Sequence, residues 1–242
     1  MTEGANETGL KVVDAFDLDD ELRSILKPGE MLKDKHGRRH RLPRYFYEVP
    51  SLDVARTTYL TTHFKLIEFA QVDIREAHRL QSYPTYIPCA VRILASYLQR
   101  LRESLGASMH VAVNGGYRSP GHKLAESATP HMWGTACDLF RIGTTILREQ
   151  ELIQKYNKLA EELSEDFWVM PYGHDLGQAD DHIHLDLGYI TYIPREISED
   201  RMEVPQQKPR YAFEERRRVD RRTLLPEAIS PDRPASEGEP RQ

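Results

Sequence analysis

The 242-residue sequence predicts an α+β fold. Two stretches carry helical periodicity. Ile87, Val91, Leu94, Leu98, Leu101 and Leu105 recur at steps of four and three, and Leu152, Tyr156, Leu159 and Leu163 repeat the pattern further on. Around them lie short runs with strand character at 110–114, 134–140, 167–170 and 182–187, β-branched or alternating with a period of two. No internal repeat is visible.

Taken in order, residues 10–50 alternate apolar and charged patches. Lys27-Pro28-Gly29-Glu30 and Asp34-Lys35-His36-Gly37-Arg38-Arg39 serve as turn signals. Residues 1–50 therefore read as an N-terminal extension with a helix near 18–26 and a hairpin. The basic cluster at 35–41, with His36 and His40 in it, reads as a solvated turn. A central domain, 51–192, comes next. Its first helix spans 84–106, the strand at 110–114 ends in a Gly-Gly turn, a second strand covers 134–140, and a second helix covers 146–163. From 193 to 242 the character changes: Pro194, Pro205, Pro209, Pro226, Pro231, Pro234 and Pro240 are scattered among charges. Such a segment buries too little apolar surface to offset its ordering entropy, which predicts a mobile tail. Residues 214–225 are able to form a short helix on a protein partner or on the domain itself.

Composition narrows the classes. The chain is 39% hydrophobic and 29% charged, with a net charge of −5. There is no global basic field, so nucleic acid is not an expected partner. The first eight residues lack the apolar stretch of a secretion signal, and no run is long and apolar enough to span a bilayer, which predicts a cytoplasmic protein. Only Cys89 and Cys137 are present, too few for a disulfide framework and in keeping with two small buried thiols.

The chemistry lies in three segments: Asn114-Gly115-Gly116-Tyr117-Arg118-Ser119-Pro120, Thr129-Pro130-His131-Met132-Trp133-Gly134-Thr135-Ala136-Cys137-Asp138, and Asp181-His182-Ile183-His184. Two imidazoles and one carboxylate, His131, Asp138 and His184, suit Zn2+ with an open fourth position, and such a donor set keeps the ion a good Lewis acid. Small residues at 134–136 let the backbone enter a strand beside the metal without a Cβ in the way. In the last strand the alternation puts His182, His184 and Asp186 on one face and Ile183, Leu185 and Leu187 on the other. Asp181, three residues before His184, is the expected general base. Arg118, after the Gly-Gly-Tyr turn, is the expected clamp for a substrate oxygen. His122, His174 and His182 border the cleft as candidate substrate contacts, Asp186 is a supporting carboxylate, and Cys137 should point into the core.

These segments, in this order, resemble the D-alanyl-D-alanine carboxypeptidase family of zinc peptidases, a group that includes vancomycin-resistance dipeptidases and phage L-alanyl-D-glutamate endolysins. The likeness covers roughly residues 60–190, including the lead-in His63-Phe64-Lys65-Leu66-Ile67-Glu68-Phe69. It implies zinc on His131, Asp138 and His184, Asp181 as the catalytic acidic residue and Arg118 as the substrate arginine. It also implies a Hedgehog/DD-peptidase fold, in which a small antiparallel sheet has helices packed on one side, and a peptidoglycan-derived peptide as substrate. Thr129 stands where serine is common, Asn114-Gly115 replaces the usual Thr/Ser-Ser-Gly lead, and the tail has no counterpart, departures that bear on the substrate rather than the metal.

Other metal motifs fail on their residues. No His-Glu-x-x-His exists, and His182-Ile183-His184-Leu185-Asp186 is followed by Leu187 where a metallo-β-lactamase needs histidine. Two rival functions stay open: a non-catalytic, zinc-stabilised Hedgehog-like binding module, and a zinc amidase acting on a peptide from outside the cell wall. Asp181 together with Arg118 separates the first from an enzyme, since a scaffold needs neither a base nor an oxyanion donor beside its metal.

Overall fold

The computed structural model describes residues 8–123, 125–173, 179–194 and 197. It is a mixed α+β structure with small antiparallel sheets. His174 and nearly all of the 193–242 tail lie outside the described residues. Among the described residues no helix is long and apolar enough to cross a membrane.

Residues 10–50, expected as an extension, share one core with the central domain. Strand β1 (Val12–Asp14) leads to helix α1 (Asp20–Leu26), whose N-cap Asp19 accepts from the Leu22 amide at 2.9 Å. A hairpin of β2 (Met31–Lys33) and β3 (Arg39–Arg41) comes next, then β4 (Tyr45–Glu48). Helices α2 (Leu52–Thr57) and α3 (Leu66–Phe69) precede β5 (Tyr86–Pro88), and a three-stranded antiparallel sheet forms in the order β1-β4-β5. Tyr45, Phe46 and Tyr47 of β4 are buried with Leu22 and Leu26 in the same apolar cluster as the long helix after β5.

That helix, α4 (Val91–Leu105), carries Val91, Leu94, Ala95, Leu98 and Leu101 on its buried side, as the spacing predicts. Its start is seven residues later than the periodicity suggests. Ile87 belongs to β5 instead, because Pro88 lacks an amide hydrogen and disfavours a helical residue before it, so the chain stays extended through Pro88 and turns at Cys89 and Ala90 into the helix. The second sheet holds the remaining strands: β6 (Met109–Val111), β7 (Ala136–Ile142), β8 (Thr145–Ile146), β9 (Trp168–Val169) and β10 (Ile183–Asp186), in the order β6-β7-β10-β9 with β8 on β7.

Helix α5 (Gln150–Leu163) packs on β9 and β10. Its fully buried line is Ile153, Asn157 and Ala160, one residue on from the predicted stripe of Leu152, Tyr156, Leu159 and Leu163. Asn157 is drawn inward because its amide donates to the Met170 carbonyl at 3.0 Å, fixing α5 against the residue just past β9.

A second, smaller core sits apart. Leu42, Ala128, Met132 and Trp133 are buried together, with Leu32, Ala125 and Tyr189 against them. The β2-β3 hairpin therefore packs on the loop that carries His131. His40, expected in a solvated turn, instead lies face to face on Tyr189, with ring centroids 3.5 Å apart.

Candidate metal centre

The register of β7 and β10 builds the site. His184 lies opposite Asp138, and Asp186 opposite Ala136, so these side chains share one face of the sheet. Ile183, Leu185, Cys137 and Leu139 take the other face and join the main core. Cys137 points inward as expected, and burial pushes its thiol well up. Trp168 of β9, opposite Asp186, brings its ring edge-on to His184 at 5.7 Å between centroids, on the side away from Asp138 along the sheet order.

His131 comes from a short helical turn, Pro130–Trp133. Its Nδ1–H donates to the Gly116 carbonyl at 2.7 Å, which fixes the tautomer and leaves Nε2 as the bare nitrogen. That Nε2 is buried without a hydrogen-bond partner among the described residues and faces Asp138 Oδ1 at 3.5 Å. His184 is fixed from the far side, where Nε2 meets Asp186 Oδ2 at 3.1 Å and Nδ1 meets Asp138 Oδ1 at 2.7 Å. Asp186 is itself anchored by the Gly188 amide at 2.7 Å.

The donor atoms of His131, Asp138 and His184 all lie within 4.8 Å of one another. Donors of a tetrahedral zinc site sit about 3.3 Å apart, given metal–ligand bonds of about 2.0–2.1 Å. The group could hold a metal ion, and the His131 Nε2, buried without a hydrogen-bond partner among the described residues, is suited to be one of its donors.

Electrostatics follow from that crowding. Burial opposes the charge of Asp138, but His131 and His184 outweigh it and hold its carboxyl well below the usual range. Burial likewise opposes the charged form of His184, yet its hydrogen bonds to Asp138 and Asp186 hold its pKa up at about 9. His131 goes the other way, to about 4, through burial first and the Arg118 charge second.

Arg118 projects from the Gly115-Gly116 turn, and the turn requires glycine. A Cβ on Gly116 would stand 2.4 Å from the Phe69 carbonyl oxygen and 2.6 Å from the Phe69 Cα, far inside contact. The turn is stitched in place by Tyr117 N to Phe69 O and Asp138 N to Gly115 O, both 2.8 Å. The guanidinium reaches Asp138 Oδ2 at 3.6 Å but makes no hydrogen bond among the described residues. Burial lowers its pKa against the pull of Asp138, and its side chain keeps 22% exposure. An arginine so placed carries a charge with its donors uncommitted among the described residues.

The other predicted residues are placed less centrally. Asp181 is 75% exposed and accepts from His182 Nδ1 at 2.6 Å, while His182 Nε2 lies 3.8 Å from Asp138 Oδ1. Asp181 thus meets the cluster through His182. His122 is buried beside Asp73, its Nε2 4.0 Å from Asp73 Oδ1. Sequence reasoning missed Glu76, a buried carboxylate that accepts from the Ser119 amide (3.0 Å) and hydroxyl and from the Ala77 amide (2.8 Å), steadying the Arg118 turn. It also missed Trp168, for which the strand alternation at 167–170 was an available signal. Comparisons of the chain with protein-family models, with curated proteins and with solved structures find no match.

Proposed function

We propose that this protein is a zinc-dependent peptidase of the D-alanyl-D-alanine carboxypeptidase type, on a Hedgehog/DD-peptidase fold. Its substrate is a peptide bond in peptidoglycan stem peptides or in a related short peptide containing a D-residue. One observation carries the reading: two imidazole nitrogens and a carboxylate oxygen converge in a largely buried cluster, and an arginine whose side chain makes no hydrogen bond among the described residues stands at the second oxygen of the same carboxylate. A mixed nitrogen and oxygen donor set without thiolate suits zinc.

His131 Nε2, Asp138 Oδ1 and His184 Nδ1 would hold the ion, which supplies Lewis acidity toward a carbonyl and toward water at neutral pH. The chain does the rest. Gly116 and Asp186 fix the two imidazoles from behind. Arg118 turns its N–H groups to the scissile carbonyl oxygen or to a terminal carboxylate and stabilises the charge that develops there. Asp181, with His182 between it and the cluster, takes the proton of the attacking water and returns it to the leaving amine.

A second reading, the zinc-stabilised binding module, is favoured by the exposure of Asp181, which a base working directly on water would not need. Mass spectrometry of muropeptides and of D-Ala-D-Ala, incubated with zinc-loaded protein, decides between them. Cleavage by the parent, lost on chelation and in Asp181→Ala while metal analysis still finds one zinc per chain, is the expected outcome. Bound zinc with no cleavage of any product class would favour the module, and wild-type turnover by Asp181→Ala would remove Asp181 as the base.

A further inference from the structure

The β2-β3 hairpin touches both segments that carry the metal-binding imidazoles. On the His131 side, the Ala128 amide donates to the Lys33 carbonyl at 2.8 Å and Trp133 Nε1 donates to the Arg41 carbonyl at 3.0 Å. On the His184 side, Tyr189 lies just beyond β10, and His40 stacks on it at 3.5 Å with 13° between the ring planes. The two sides are tied to each other as well. Tyr189 donates its hydroxyl to the Ala128 carbonyl at 3.1 Å, and its ring meets Trp133 edge-on at 4.9 Å. Leu187 N bonds Thr135 O at 3.0 Å, and the Thr135 hydroxyl bonds the Gly188 carbonyl.

His40 is held in turn. Asp34 Oδ2 takes its Nε2 at 2.9 Å, and Asp34 Oδ1 accepts the His36 and Arg38 amides at 2.9 Å each, which closes the hairpin turn. The stack therefore has a rigid base. Flat rings stacked in contact resist rotation, and a ligand loop packed on them inherits that rigidity.

We propose that the N-terminal hairpin is a clamp that sets the spacing between His131 and His184, with His40 as its positioning residue acting through Tyr189. This role rests on the zinc-site reading of His131, Asp138 and His184. His40 touches neither the metal-binding atoms nor substrate. Its effect is on affinity and ligand geometry rather than on a chemical step, because the clamp fixes how far apart the two imidazoles stand before an ion arrives.

The test is zinc affinity by competition with a chromophoric chelator, together with the visible spectrum of the cobalt-loaded full chain. His40→Ala should lower zinc affinity roughly tenfold and alter the cobalt bands. His40→Phe, which keeps the stack, should recover most of the affinity. Tyr189→Leu, which removes the stack from the other side, should match His40→Ala, and it serves as the second variant if His40→Ala does not fold. Wild-type affinity and an unaltered cobalt spectrum in a folded variant of either kind would overturn the proposal, even if its melting temperature falls. If the parent chain binds no zinc, the failure belongs to the metal reading instead.

Discussion

Gly116→Ala puts the site geometry under the sharpest test. The new methyl carbon would stand 2.4 Å from the Phe69 carbonyl oxygen, 2.6 Å from its Cα and 2.7 Å from its carbonyl carbon. Reaching even a tight 3.0 Å contact with the oxygen needs a shift of about 0.6 Å, and the neighbour is backbone, which cannot swing aside as a side chain would. Overpacking of this kind costs roughly 1–3 kcal/mol, and the upper end applies here. For a domain of this size that is a drop in Tm of about 6–12 °C. A second effect follows from the first. The Gly116 carbonyl holds His131 Nδ1 at 2.7 Å, so moving the turn re-aims Nε2 and should weaken zinc binding about 10- to 100-fold. Scanning calorimetry reads the first effect and chelator competition the second. Gly106→Ala is the control. Unlike Gly116 it has a positive φ, 60°, and a Cβ there opens on empty space, so it should cost about 1–2 kcal/mol through the backbone alone and leave zinc affinity untouched. Wild-type Tm in Gly116→Ala would refute the packing argument, and a lowered Tm with wild-type affinity would refute the link from Gly116 to His131.

Two further expectations come from the same sheet and its flank. Leu185→Ala should cost about 2–5 kcal/mol in denaturant melts while zinc stoichiometry holds, because Leu185 is fully buried on the core face. Asp186→Asn, one residue on, should do the reverse, weakening zinc about 10- to 100-fold with little change in stability, and equal effects in both would deny the alternation. Tyr189 is pushed up to about 12, chiefly by burial, against about 10 in an unfolded chain. The folded state therefore favours the protonated phenol, and the stability linked to it is complete below pH 10 and lost as pH rises from about 10 to 12. Tyr189→Phe should flatten that part of a stability-versus-pH curve, and an unchanged slope would count against the shift.

Much of the candidate metal site was legible because its logic is local. A period of two in residues 182–187 separates His184 and Asp186 from Ile183 and Leu185 whatever the rest of the chain does, and the same rule sends Cys137 inward beside Asp138. The helices were legible in kind but not in extent, since periodicity does not weigh Pro88 against a continuing apolar face or foresee that Asn157 goes inside for one hydrogen bond. What stayed hidden depends on long-range contact. Tyr45, Phe46 and Tyr47 are all buried, so β4 offers no alternation to read. Glu76 meets Ser119 across 43 residues of sequence, and His40 looked solvated because a run of charges says nothing about the one ring among them that finds an aromatic partner.

The two oxygens of Asp138 explain how the site holds a carboxylate charge out of water and still keeps an arginine available. A buried carboxylate paired to one bidentate arginine would be well compensated, but two of that arginine's five N–H donors, and its orientation, would be committed to the pair. Here Oδ1 is surrounded by His184, His131 and His182 at 2.7, 3.5 and 3.8 Å, whereas Oδ2 has Arg118 at 3.6 Å, close enough for attraction and too far for a hydrogen bond. The charge is balanced by proximity while the N–H groups stay uncommitted among the described residues. The Arg118 side chain keeps 22% exposure, so part of it stays within reach of solvent. On the peptidase reading, a carbonyl or carboxylate oxygen entering from solvent would meet an Arg118 with no side-chain hydrogen bond to give up among the described residues, so its N–H groups would bond that oxygen without first breaking a contact.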